Sequence, residues 1–187
     1  RLLGIRADRL ASYASAELAR AVVALREVKE PAEIEEIERA CETAGKMHRL
    51  AMRMCRPGIT EREIAGAIEG VALQHGAGVS FPAIVTQHGE TLHNHDYDHV
   101  LQSGRLMLID AGAETAMNYC SDFTRTFPVN GRFTGRQKDV YDIVLAANDR
   151  TFELAGPDTF YYRMHNEASM VIAEGLKSLG LMRGNMQ

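Results

Sequence analysis

Apolar and small residues recur at steps of three and four from Ile34 through Ile37, Cys41, Ala44, His48 and Ala51 to Cys55. That spacing predicts one long amphipathic helix over 31–56. Pro31 suits its first turn, and Pro57-Gly58 stops it. Upstream, residues 16–27 also read as helix, with Leu18, Val22 and Leu25 on one side. The next helix opens on a capping box, Thr60 and Glu63, each able to satisfy an orphan amide. It continues through Ile64, Ile68, Val71 and Ala72 and ends at the glycines of 75–78. The period then changes. Residues 79–86 read as a strand, 106–109 as a strand buried on both faces, and 119–129 as a stretch rich in strand formers. After Gly131 the helical period returns, with a second capping box at Thr134 and Gln137 and a stripe of Val140, Ile143, Val144 and Ala147. Gly156-Pro157 ends it, and 165–179 predicts a last helix closed by Gly180.

The order long helix, Pro/Gly break, shorter helix, glycine runs over 31–78 and again over 134–180. In the first copy two helices lead into a sheet, and in the second they lead to Gln187. The expectation is a chain cut before a second sheet. Its 187 residues, 45% hydrophobic, suffice for one domain with a real core. With 21 Lys+Arg against 25 Asp+Glu the net charge is −4, which argues against a nucleic-acid partner. No run reaches the roughly 18 apolar residues of a membrane span. Residues 1–6 do not read as a secretory leader, and the missing initiator Met points to processing or to a fragment. Cys41, Cys55 and Cys120 are odd in number and widely spaced, which fits a reducing cytoplasm better than a disulfide scaffold.

Two groups of residues could carry chemistry. Asp110 ends the apolar run 106–109, and Asp122 follows across a turn. A hairpin centred near Ala116 sets the two carboxylates opposite each other on one face, where like charges repel. One or two divalent cations would remove that conflict. The alternative is that Asp110 caps a turn while Asp122 pairs with Arg125. The second group is His88, His93, His95 and His99, with Asp96 and Asp98 among them. An H-x-H pair can bind zinc, and a solvated loop with ordinary imidazole hydrogen bonds accounts for it as well. His48, His75 and His165 read as structural. Nucleotide-binding glycine loops and the G-x-S-x-G nucleophile elbow are absent.

The text Leu108-Ile109-Asp110-Ala111-Gly112-Ala113-Glu114, followed by Ser121-Asp122-Phe123-Thr124-Arg125-Thr126-Phe127-Pro128-Val129-Asn130-Gly131, resembles the aminopeptidase P and prolidase group of metallopeptidases. Tyr141-Asp142-Ile143-Val144-Leu145 and Pro57-Gly58-Ile59-Thr60-Glu61 do the same, so the likeness covers about residues 25–187. It implies an α+β "pita-bread" fold, of which this chain would hold the first half and the leading helices of the second. Residues 1–24 would then be the remnant of an upstream domain and linker, and 25–187 a partial catalytic domain. It implies hydrolysis of the bond between an N-terminal residue and proline by hydroxide activated at two divalent ions. Those ions are usually Mn²⁺, with Co²⁺ or Zn²⁺ as alternatives. Asp110 and Asp122 match the two metal-binding aspartates. His93, in Thr91-Leu92-His93-Asn94, matches a pocket histidine that contacts the substrate backbone.

The family site also uses a histidine and two glutamates for which this sequence has no matching text. Two of five ligands are therefore expected here, and a chain inactive by itself. The implied partner is a peptide with proline at its second position, and the full-length protein is expected to form a homodimer. The alternatives are an Xaa-Pro dipeptidase (prolidase) and a non-catalytic, peptide-binding relative of the same fold. Such relatives usually lose the aspartates, and both stand here.

Overall fold

The computed structural model describes residue 6, residue 9 and residues 13–184. Part of the segment 1–24, read above as an upstream remnant, lies outside the described residues. Among the described residues five helices and five strands follow one another: α1 Ala16–Arg26, α2 Pro31–Met54, α3 Glu61–His75, β1 Gly78–Val79, β2 Ile84–Thr86, β3 Leu106–Ala111, β4 Ala113–Glu114, β5 Phe123–Pro128, α4 Gly135–Leu154 and α5 Tyr161–Ser178. β2, β3 and β5 form a sheet in the order β2–β3–β5, and β1 pairs antiparallel with β4. The chain divides into two compact units, 1–53 with 65–84 and 109–124, and 54–64 with 85–108 and 125–187.

In the first unit α2 presents Ala40, Thr43, Ala44, Met47, His48 and Ala51 to the interior. Three of these are alanines, whose small side chains let neighbouring backbone come close. Burial begins only at Ala40, so Ile34 at the head of the predicted stripe stays 46% exposed. α1 forms where the periodicity puts it, with Ser15 Oγ accepting from Leu18 N at 3.1 Å, and buries none of its residues. The predicted strand 79–86 is broken into β1 and β2. Pro82 stands between them and has no N–H to give a ladder.

In the second unit both capping-box signals are realised. Thr60 N donates to Glu63 Oε2 at 2.8 Å and Glu63 N to Thr60 Oγ1 at 3.2 Å, and the reciprocal pair also joins Thr134 and Gln137. α4 and α5 pack together through Arg150, whose guanidinium donates to Glu167 Oε2 at 3.0 and 3.2 Å. Gly175 admits Ile143 so closely that a Cβ there would lie 2.6 Å from it. α5 starts at Tyr161, four residues before the predicted helix, with Phe160 extended at the N-cap position and making no side-chain cap.

β3 corrects the expectation of a strand buried on both faces. Met107, Ile109 and Ala111 are buried, whereas Leu106, Leu108 and Asp110 on the other face are half-buried. No helix among the described residues is long and apolar enough to cross a membrane.

Candidate metal centre

Asp110 lies near the end of β3, and Asp122 lies in the extended link just before β5. The turn between them is 115–119: Asn118 N donates to Thr115 O at 2.9 Å, and Thr115 N donates to Tyr119 O at 2.9 Å. Asn118 adopts a φ of 63°, a left-handed conformation that Asn tolerates better than most residues. Ser121 N donates to Ala113 O at 3.0 Å, and Glu114 bridges Cys120. The hairpin is therefore centred on Met117, one residue beyond the expected Ala116. This register extends to Asp110 opposite Thr124 and Gly112 opposite Asp122. Moving the centre by one residue moves each partner by two, so both aspartates keep the same face.

Gly112 makes the close approach possible. A Cβ at that position would lie 1.7 Å from Ser121 O and 2.4 Å from Ser80 Oγ. The backbone there is knitted tightly instead. Ser80 N donates to Gly112 O at 3.1 Å, and Ser80 Oγ donates to Ser121 O at 2.7 Å. Buried Ser121 anchors the hairpin to α2 by donating through Oγ to Ala40 O at 2.9 Å, while the Ser121 Oγ itself accepts from Ala113 N at 3.0 Å. Tyr119 makes a second tie, its hydroxyl donating to Glu33 Oε1 at 2.8 Å. Behind the strand, the buried His48 ring places Nε2 3.1 Å from Ala111 O.

The carboxyl groups of Asp110 and Asp122 come within hydrogen-bonding contact, and Thr124 also bonds Asp110. Burial first, and then the neighbouring Asp122 charge, push the Asp110 carboxyl above its ordinary range. The Thr124 hydroxyl and the His48 ring pull the other way. Asp110 Oδ1 is buried and meets no hydrogen-bond partner among the described residues. An acceptor left so costs about 1–3 kcal/mol. Two hard oxygen donors, one of them orphaned, suit a divalent cation. Among the described residues no set of three or more His, Cys, Asp or Glu is placed to hold one ion. The pair thus offers an ion two carboxylates, and other ligands would have to complete it.

The histidine group resolves differently. The His88 and His99 rings lie 4.5 Å apart between centroids and are tilted by 47°, His88 Nδ1 lies 2.9 Å from Glu90 Oε1, and His99 Nδ1 lies 3.0 Å from Glu61 Oε2. His93 and His95 are exposed on the same loop of the second unit. His93 has a φ of 51°, which for a non-glycine residue costs about 1–2 kcal/mol and persists only where the surroundings hold the loop. Two residues escaped the sequence reading. Gly112 lies inside the quoted motif, but its packing duty depends on which oxygen faces it. Glu61 is completely buried, and at the sequence level its place in the first turn of a helix reads as ordinary dipole chemistry.

A carboxylate pair on an α+β scaffold, with one buried oxygen that meets no hydrogen-bond partner, defines a candidate divalent-cation site. The chain belongs to metallopeptidase family M24, whose model matches residues 35–184. It is 38% identical over 165 residues to the Xaa-Pro aminopeptidase of Escherichia coli K12, covering 87% of this chain and 37% of that protein. The Xaa-Pro aminopeptidase of Haemophilus influenzae is 36% identical over 165 residues, with 87% and 38% covered. Among solved structures, an E. coli aminopeptidase P variant in complex with substrate superposes with a TM-score of 0.83 at 38% identity, covering 86% of this chain and 37% of that one. Aminopeptidase PepP of Pseudomonas aeruginosa gives 0.81 at 35% identity, covering 84% and 36%. The fold is accordingly a part of the pita-bread architecture expected from the motif. The chain spans somewhat more than a third of the length of these relatives.

Proposed function

We propose that this chain is the leading part of the catalytic domain of an Xaa-Pro aminopeptidase, with 25–187 in that domain and 1–24 a remnant of the preceding one. Asp110 and Asp122 would hold a pair of divalent ions, Mn²⁺ ahead of Co²⁺ or Zn²⁺. The observation that carries the reading is the contact between the Asp110 and Asp122 carboxyls with Asp110 Oδ1 left without a partner. Two like charges held together at a half-buried position are costly unless something positive joins them. The names of the relatives support the substrate class, and one related E. coli structure is described as zinc-substituted and in complex with product.

Bound ions of this kind supply Lewis acidity and an acidified water, the chemistry that peptide hydrolysis at neutral pH requires. The chain's own residues set the stage. Gly112 and Ser121 hold the two carboxylates on one face, Thr124 bonds Asp110, and the nearby His48 ring favours its charged form. His93 contacts the backbone of a peptide with proline at its second position. The remaining His and two Glu ligands come from sequence not present here, and the complete protein works as a cytoplasmic homodimer.

The test uses the protein in its full natural length. Asp110→Asn and Asp122→Asn should each abolish turnover of a peptide with proline second and lower bound Mn²⁺ measured by metal analysis. Hydrolysis confined to dipeptides would reassign the protein to prolidase. Peptide binding without turnover, in a preparation loaded with Mn²⁺, would make it a non-catalytic relative.

A further inference from the structure

Glu61 is wholly inaccessible to solvent, a rarity for a carboxylate, and every partner of its side chain comes from one segment. Oε1 accepts from Thr86 Oγ1 at 3.1 Å and from Gln87 N at 2.8 Å. Oε2 accepts from His99 N at 3.4 Å and lies 3.0 Å from His99 Nδ1. Thr86 and Gln87 open the loop 87–100, and His99 closes it. One carboxylate thus clasps both ends.

The backbone around Glu61 repeats the grip. Glu61 N donates to His99 O at 3.0 Å, Arg62 N to Tyr97 O at 3.2 Å, Leu101 N to Ile59 O at 2.8 Å and Gly58 N to Leu101 O at 2.9 Å. Gln87 adds a second clasp, its Nε2 donating to Val100 O at 2.9 Å and its Oε1 accepting from Gln102 N at 3.0 Å. Thr86 Oγ1, while donating to Glu61, accepts from His88 N at 3.0 Å. Within the loop, Thr91 N donates to His88 O and Asp96 N to Asn94 Oδ1, both at 2.9 Å. Between those last two bonds stands His93, in its left-handed conformation.

We propose that Glu61 is a positioning residue: its buried carboxylate clamps the two ends of loop 87–100 and thereby sets His93 for the peptide. The assignment rests on the reading of His93 as a substrate contact. Its chemistry demands a carboxylate rather than an amide. Each oxygen faces a backbone N–H, so a glutamine at this position turns its NH₂ toward one of them in either orientation. The loop then loses an end, and the strained His93 backbone relaxes.

The experiment has two arms, both on the protein in its full natural length. Hydrogen exchange of the Glu61→Gln variant should show the amides of 88–99 exchanging at least tenfold faster, with those of α4 unchanged. Thr86→Val, which keeps the carboxylate and the side-chain shape but removes one donor to Glu61 and the acceptor of His88 N, should give a two- to fivefold rise over 89–99, beyond His88 itself, if Glu61→Gln fails to fold. Unchanged loop exchange in these variants overturns the clamp. In the second arm, Glu61→Gln should lower kcat/KM for a proline-second peptide at least tenfold, mainly through KM, yet less than twofold in a His93→Ala background. Equal losses in both backgrounds would show a general structural role and overturn the positioning assignment. A wild-type protein without peptidase activity would defeat the proposed function, while the exchange arm still decides the clamp.

Discussion

The carbonyl oxygen of Ser121 occupies the space in which any residue at 112 other than glycine would place its Cβ, at 1.7 Å. No real Cβ tolerates that distance, and the obstacle is backbone rather than the end of a flexible side chain. Two strands are therefore drawn together where Asp110 and Asp122 must meet.

Gly112→Ala should consequently unfold or splay the hairpin. Overpacking in a well-filled region costs about 1–3 kcal/mol, and a backbone collision belongs at or above the upper end. The urea midpoint should fall sharply, and Mn²⁺ binding measured by calorimetry should weaken with it. An unchanged midpoint would mean that the strands can separate here at no cost.

The raised Asp110 pKa has a definite sign in linkage. The unfolded chain releases this proton at the ordinary carboxylate pKa while the folded chain still holds it, so metal-free stability falls as pH rises through the folded value. Asp110→Asn should flatten that fall and, without metal, leave the protein as stable or up to about 1 kcal/mol more stable after solvent screening. Cation affinity should rise with pH over the same window, because the ion competes with the proton. Denaturation curves from the ordinary carboxylate range upward, with and without Mn²⁺, test both signs.

The proposed reading places the general base outside these residues, so turnover by the 187-residue chain alone should lie at least about 10²-fold below that of the full-length protein, an effect of the size a general base supplies, about 10²–10⁴. Parallel assays at saturating Mn²⁺ on a proline-second peptide measure the ratio. Rates within tenfold would mean that Asp110 and Asp122 find their missing ligands within these residues.

Burial pushes the Cys55 thiol up to about 11. At pH 8 only about one molecule in a thousand carries the thiolate, so Cys55 should react with a disulfide reagent well after the exposed Cys120. Above the ordinary thiol pKa the unfolded chain ionises first, and stability should decline from there toward pH 11. Cys55→Ser should remove part of that slope, as thermal melts across the alkaline range would show.

Sequence alone determined what depends on neighbours along the chain. The 3.6 period gave α2 to within two residues, because its alanine-rich face must be hidden whatever covers it. The boxes at Thr60 and Thr134 marked where α3 and α4 begin, since a cap satisfies amides only three residues away. That Asp110 and Asp122 share a face followed from strand parity, which survives a shift of the hairpin centre by one residue. Tertiary structure decided the rest. The centre fell on Met117, where Asn118 takes the left-handed conformation that closes the 115–119 turn. Strand 79–86 split at Pro82, and the face of β3 carrying Asp110 stayed half-open. Glu61 became a buried clamp only when Thr86, Gln87 and His99 closed on it from far along the chain. Local spacing encodes periodicity and caps, whereas burial and acceptor satisfaction belong to groups that meet only after the chain has folded.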